Sequence, residues 1–142
     1  MTKLIYLASI SLACAALPVF STGCTCKNAI PVMVVSQNVI IEAEVAVEQA
    51  QNIANVLTNI DDATKQKLNS AITQALAGLQ NAAIGIQQAE QSCSNPNYTE
   101  LFKEFNAAWD IIRAVIPTVI SVLSAKNEHF TAIKDPVAYS FR

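Results

Sequence analysis

The chain has 142 residues, a formal net charge of −2, and 14% charged against 52% hydrophobic side chains. It carries no basic stripe or patch to set against nucleic acid or anionic lipid, and a polar surface made mostly of Asn and Gln steers charged ligands poorly. The length suits one domain with a real core.

Residues 1–23 read as an export signal. Met1-Thr2-Lys3 is a short basic start, Leu4 to Leu17 is an unbroken apolar and small-residue run, and Pro18 ends it. Small residues then lead into Cys24, the pattern of a secretory leader and its cut site. This end resembles the lipobox of bacterial lipoproteins: Thr22-Gly23-Cys24 fits its last three positions, with Ser21 where that family usually has Leu. The resemblance implies cleavage before Cys24, a diacylglycerol on its sulfur, and an envelope protein held to a membrane by that lipid. Thr25, where Asp would imply retention, implies release to the outer membrane in a two-membrane host. Two other routes stay open. Ordinary signal peptidase can cut after Ser21-Thr22-Gly23 and leave a secreted protein. An uncleaved anchor is the third, although the run is shorter than the ~20 residues of a spanning helix.

Beyond the leader the net charge becomes about −3, since Lys3 is lost. No later stretch is expected to be apolar for long enough to cross a membrane. If Cys14 leaves with the leader and Cys24 is lipidated, Cys26 and Cys93 remain as an even pair in a compartment that permits disulfides. With plain secretion three thiols remain and one is odd.

An all-α fold follows in chain order: a tether over 24–30, a three-helix bundle over 31–125 and an irregular tail over 126–142. From Val32 to Leu57, apolar and small residues recur at alternating steps of three and four, an amphipathic helix. A strand around 32–41 is the minor alternative, opposed by poor alternation. Thr58 to Asp62 is a polar break in which Asn59, Asp61 or Asp62 can cap the next helix. That helix runs from about Ala63 to Gln91 with Leu68, Ile72, Leu79, Ala83 and Ile86 on one face.

A second stripe on it holds Ala71, Ala75, Gly78, Ala82, Gly85 and Ala89. Gly costs about 1 kcal/mol relative to Ala inside a helix, so two of them a heptad apart call for close approach of another backbone. Ala43, Ala46, Ala50 and Ala54 offer a matching small surface on the first helix, which points to a tightly packed antiparallel hairpin. Such a hairpin makes neighbours of Cys26, just before the first helix, and Cys93, just after the second. A bond closing that loop of 68 residues is worth about 4 kcal/mol on chain entropy.

After Ser94-Asn95-Pro96, Asn97 and Glu100 have the spacing of a capping box. The third helix then carries Leu101, Phe105, Ala108, Ile112, Val115, Val119 and Val122, flanked by Phe102, Trp109, Ile116 and Leu123. So broad an apolar surface should lie across the hairpin and supply most of the core. Pro117 removes a backbone donor and is expected to kink this helix near Arg113–Ile116. In the tail, Val137, Tyr139 and Phe141 alternate like a short strand without a partner strand. They either fold back on the bundle or form a docking segment.

Chemistry-bearing residues are few. His129 is the only histidine, where a zinc site wants several ligands at short spacing. Glu44 and Glu48 share a helical face, yet no neighbour completes an acid/base site. No nucleophile motif or phosphate loop occurs, and Asn97-Tyr98-Thr99 is a sequon of a kind expected by chance. The reading is of a non-enzymatic chain without metal or cofactor, exported and acting in the envelope by binding another protein. A structural spacer and a carrier of an apolar ligand within the bundle are the alternatives. The composition also resembles small Ala/Gln-rich helical lipoproteins of bacteria and phage genomes, which implies an envelope role such as excluding a second phage.

Overall fold

The computed structural model describes residues 29–56, 60–125 and 132–141, with side chains described from residue 36 onward. The leader, Cys24, Cys26, most of the tether, residues 57–59 and His129 lie outside these. Among the described residues the fold is all-α: α1 (Ala29–Val56), α2 (Asp62–Gln91), the single turn α3 (Tyr98–Leu101), α4 (Lys103–Ser124) and a 3-10 turn, η1 (Val137–Ser140).

Local chemistry sets both ends of α2 and the start of α3. The Asp61 carboxylate accepts the Thr64 backbone N–H at 2.7 Å and the Thr64 hydroxyl at 2.8 Å, so it is the cap that starts α2. At the other end, the Ser94 N–H reaches the Ala89 carbonyl at 2.9 Å and the Cys93 N–H reaches that of Glu90 at 3.1 Å. This is a Schellman closure, and it places Cys93 in the left-handed position that glycine usually takes, at φ 53°. Asn97 caps α3 by accepting the Glu100 N–H at 3.3 Å. The Glu100 carboxylate lies 3.8 Å from the Lys103 ammonium. The third helical stretch is interrupted at Phe102 rather than running unbroken. Pro117 sits inside α4, which continues through it as helix to Ser124.

The helical period decides what is buried. On α1 the buried residues include Val39, Ala43, Ala46, Ala50, Ile53 and Ala54; on α2 they include Leu68, Ala71, Ile72, Ala75, Leu79, Ala82 and Ile86. The large volumes come from Phe102, Phe105, Trp109 and Ile112 at the start of the third stretch, each at most 2% exposed. Burying an aromatic or branched side chain of this kind contributes roughly 1.5–3 kcal/mol, so this end of α4 is the principal apolar source of stability. α2 is the central element, packing most extensively on α4 and next on α1. α1 and α4 meet only narrowly, and η1 packs on both.

Gly78 and Gly85 do allow a close approach, but the neighbour differs from the sequence expectation. A Cβ on Gly78 would stand 2.6 Å from the Phe105 nitrogen and 3.0 Å from its Cα, and one on Gly85 would overlap Leu101 Cδ2. What needs the gap is the α4 backbone at Gly78 and the Leu101 side chain at Gly85, not the backbone of α1. Along this seam Gly78 meets Phe105, Asn81 Nδ2 donates to Glu104 at 2.8 Å, and Gly85 meets Leu101. Numbers rise on one side as they fall on the other, so the two stretches run in opposite directions.

Candidate functional site

The most elaborated polar constellation joins the C-terminal segment to one face of α3 and α4. Phe102, Asn106, Trp109, Asp110 and Arg113 recur at helical steps and so present one stripe. Every one of them touches residues 135–141. Asp135 accepts from Trp109 Nε1 at 3.0 Å and lies 3.2 Å from Arg113 Nε. Tyr139 donates its hydroxyl to the Asp110 carboxylate and accepts from the Arg113 guanidinium at 3.4 Å. That guanidinium also sits 5.3 Å from the centre of the Tyr139 ring, a cation–π contact. Asn106 Nδ2 donates to the Phe141 carbonyl at 2.7 Å.

Aromatic stacking completes the attachment. The Phe141 ring lies 5.0 Å from that of Tyr98 and 5.5 Å from that of Phe102, nearly parallel to both. Tyr98 is held from the far side by a 2.8 Å hydroxyl contact with Ser36 of α1, itself wholly buried. Pro136, Ala138 and Tyr139 are buried, while Ile133 and Phe141 are half-buried. The tail therefore folds back as a strap in the seam between α1 and α4. Its residues 137–140 form a 3-10 turn rather than the strand that the alternation of Val137, Tyr139 and Phe141 suggests.

Two buried oxygens have no partner among the described residues: Oδ1 of Asn106 and Oε1 of Glu44. Burial raises the Glu44 carboxyl above its ordinary value, and to a lesser burial the same holds for Glu90 at the end of α2. Hydrogen bonds from Thr64 lower that of Asp61. Among the described residues no cluster of three or more His, Cys, Asp or Glu is placed to hold a metal.

The residues singled out in the sequence fall in several places. Ala71, Ala75, Gly78 and Ala82 line the buried side of α2, with Gly85 half-buried; Ala43, Ala46 and Ala50 line that of α1. Cys93 is disulfide-bonded, whereas Cys24 and Cys26 lie outside the described residues. A shallow depression of about 340 Å³ opens beside Cys93, lined by Gly85, Gln88, Ser92, Asn95, Asn97 and Leu101 among others. It is on the surface, not within the bundle.

One sequence expectation needs correction. α4 is long and apolar enough to cross a membrane, with 22 residues and a mean hydropathy of 1.5 over its most apolar 18-residue window. Only Asp110 and Arg113 interrupt its apolar stretch with charge, and the strap takes up both. Here its apolar face is spent on the bundle core, burying Phe105, Trp109, Ile112, Val115, Ile116, Val119 and Leu123. The stripe that seats the strap was visible as Asn106, Trp109, Asp110 and Arg113 at steps of three, one and three, but its ligand lay too far along the chain to be paired with it. No protein-family model, curated protein or solved structure matches this chain.

Proposed function

We propose that this chain is an exported envelope protein, anchored by a lipid on Cys24, that acts by binding another protein. The leader ending in Thr22-Gly23-Cys24 is the observation that carries the location. Within this reading Cys26 is the partner of Cys93, closing α1 and α2 into an antiparallel hairpin beside the anchor. Pro117 bends α4 over that hairpin. The bond clamps the membrane-proximal end of the bundle and leaves the outer helix faces exposed to meet a partner. Exposed apolar residues one turn apart on α1, Ile41 at 56% and Val45 at 48%, give such a partner an apolar face.

Intact mass of the protein from the membrane fraction, taken with and without reductant, tests the anchor. The expected species starts at Cys24, carries a diacylglycerol and gains two hydrogens on reduction. A mass that retains Met1 sinks the export reading, and a cut at Cys24 without lipid leaves a secreted protein.

A further inference from the structure

The rest of the bundle covers α1 on one face. The residues buried there, Val39, Ala43, Ala46 and Ala50 among them, meet α2, η1 and, narrowly, α4. On the opposite face Ile41, Val45, Glu48 and Asn52 follow one another at steps of four, three and four, and all are exposed. Such a spacing is the seam of a two-helix coil, and its first two members are apolar at 56% and 48% exposure. We propose that this strip docks a helix of another protein, amphipathic and basic, with a Lys or Arg facing Glu48.

Charge selects that occupant. α1 carries Glu42, Glu44 and Glu48 and no Lys or Arg. None of the three is ion-paired among the described residues. Glu42 and Glu44 stand at the positions that flank the seam, where ion pairs set the choice and orientation of a partner helix. Glu48 stands in the seam itself. Glu44 is half-buried, and its Oε1 is shut off from solvent without a hydrogen-bond donor among the described residues. A cation arriving across the strip is what these carboxylates lack.

The same charges oppose the other occupants. The α1 of a second copy brings three more carboxylates and nothing to neutralise them, a like-charge juxtaposition that disfavours self-pairing. An anionic lipid surface is repelled for the same reason. A basic helix sets its apolar side on Ile41 and Val45 and its cations on the flanks, as amphipathic helices do in protein recognition. This inference rests on the protein-binding reading above and gives that partner its chemistry.

The test is an anisotropy titration of the full chain with two labelled heptad-repeat peptides, identical except for Lys or Glu at every charged position. At about 0.15 M salt, where distant charges are screened, the Lys peptide is expected to bind at least tenfold more tightly than the Glu peptide. Val45→Ser removes apolar area from the contact and should weaken the Lys peptide tenfold or more. Glu48→Lys should invert the preference between the peptides, while Asp62→Lys, off this face, should preserve it. Both altered glutamate and valine positions are exposed, and circular dichroism checks that each variant keeps its helix content. An inversion by both charge reversals, or by neither, overturns the proposal. Tighter binding of the Glu peptide, or sedimentation as a dimer that Val45→Ser breaks, overturns the basic partner and keeps the protein-binding reading. A monomeric chain that binds neither peptide overturns both at this face.

Discussion

Cys93 occupies the position where a helix end most wants glycine, with φ at 53°. A left-handed conformation costs an L-residue roughly 1–2 kcal/mol, and the bonded sulfur supplies a reason to keep cysteine there. With reductant present that reason disappears. Cys93→Gly should then be more stable than Cys93→Ala by about 1 kcal/mol in urea unfolding, since Ala pays for the positive φ. Without reductant both variants should be less stable than the parent chain.

Two carboxylates pull stability in opposite directions with pH. Asp61 is lowered by its Thr64 hydrogen bonds, so its contribution is present above the ordinary Asp value, about 3.9, and is lost as pH falls through the lower native value. Asp61→Asn should remove that acid-side loss. Glu44 is raised by burial, so the folded state binds the extra proton. Stability therefore falls as pH climbs from the ordinary Glu value, about 4.3, through the raised native one. Glu44→Gln is expected to raise the melting temperature at pH 7 and leave it little changed at pH 4; the reverse order would show that Glu44 is well solvated.

Among the elements, α2 carries the most specific demand. Gly78→Ala sets a methyl against the Phe105 backbone, which cannot turn aside, so we expect a loss of about 1–3 kcal/mol. Gly85→Ala meets only the end of the Leu101 side chain, which can change rotamer, and should cost less. Denaturant unfolding of the two variants checks the order.

That pair also shows how far the sequence could be read. The cost of glycine in a helix announced a close approach, and the 3.6-residue period put it on the correct face. Periodicity names a face but not the neighbour across it, so the assignment to α1 was undetermined and α4 proved to be the neighbour. The caps were legible because Asp61 and Asn97 act within three residues. The strap was not, because Asp135 and Phe141 meet partners 26 and 35 positions away through single side-chain bonds that leave no repeat in the chain.

At the scale of the molecule, α4 has the hydropathy of a membrane helix yet serves as the core of a bundle. Its two mid-helix charges, Asp110 and Arg113, are both bonded to the strap. Asp135→Ala removes both the Arg113 ion pair and the acceptor of Trp109, the latter worth about 1–2 kcal/mol as a charge-assisted bond partly open to solvent. Thermal unfolding should register that loss. A change indistinguishable from zero would mean that water replaces the carboxylate without cost.

The chain has one tryptophan, and its indole nitrogen is bonded to the strap. Its emission consequently reports on the seating of the strap together with the core packing of the ring against Phe105, while far-ultraviolet dichroism reports on the helices. A red shift that precedes loss of helix on heating would display the two as separate transitions in an unlabelled sample, and the molecule would supply its own optical readout of strap detachment.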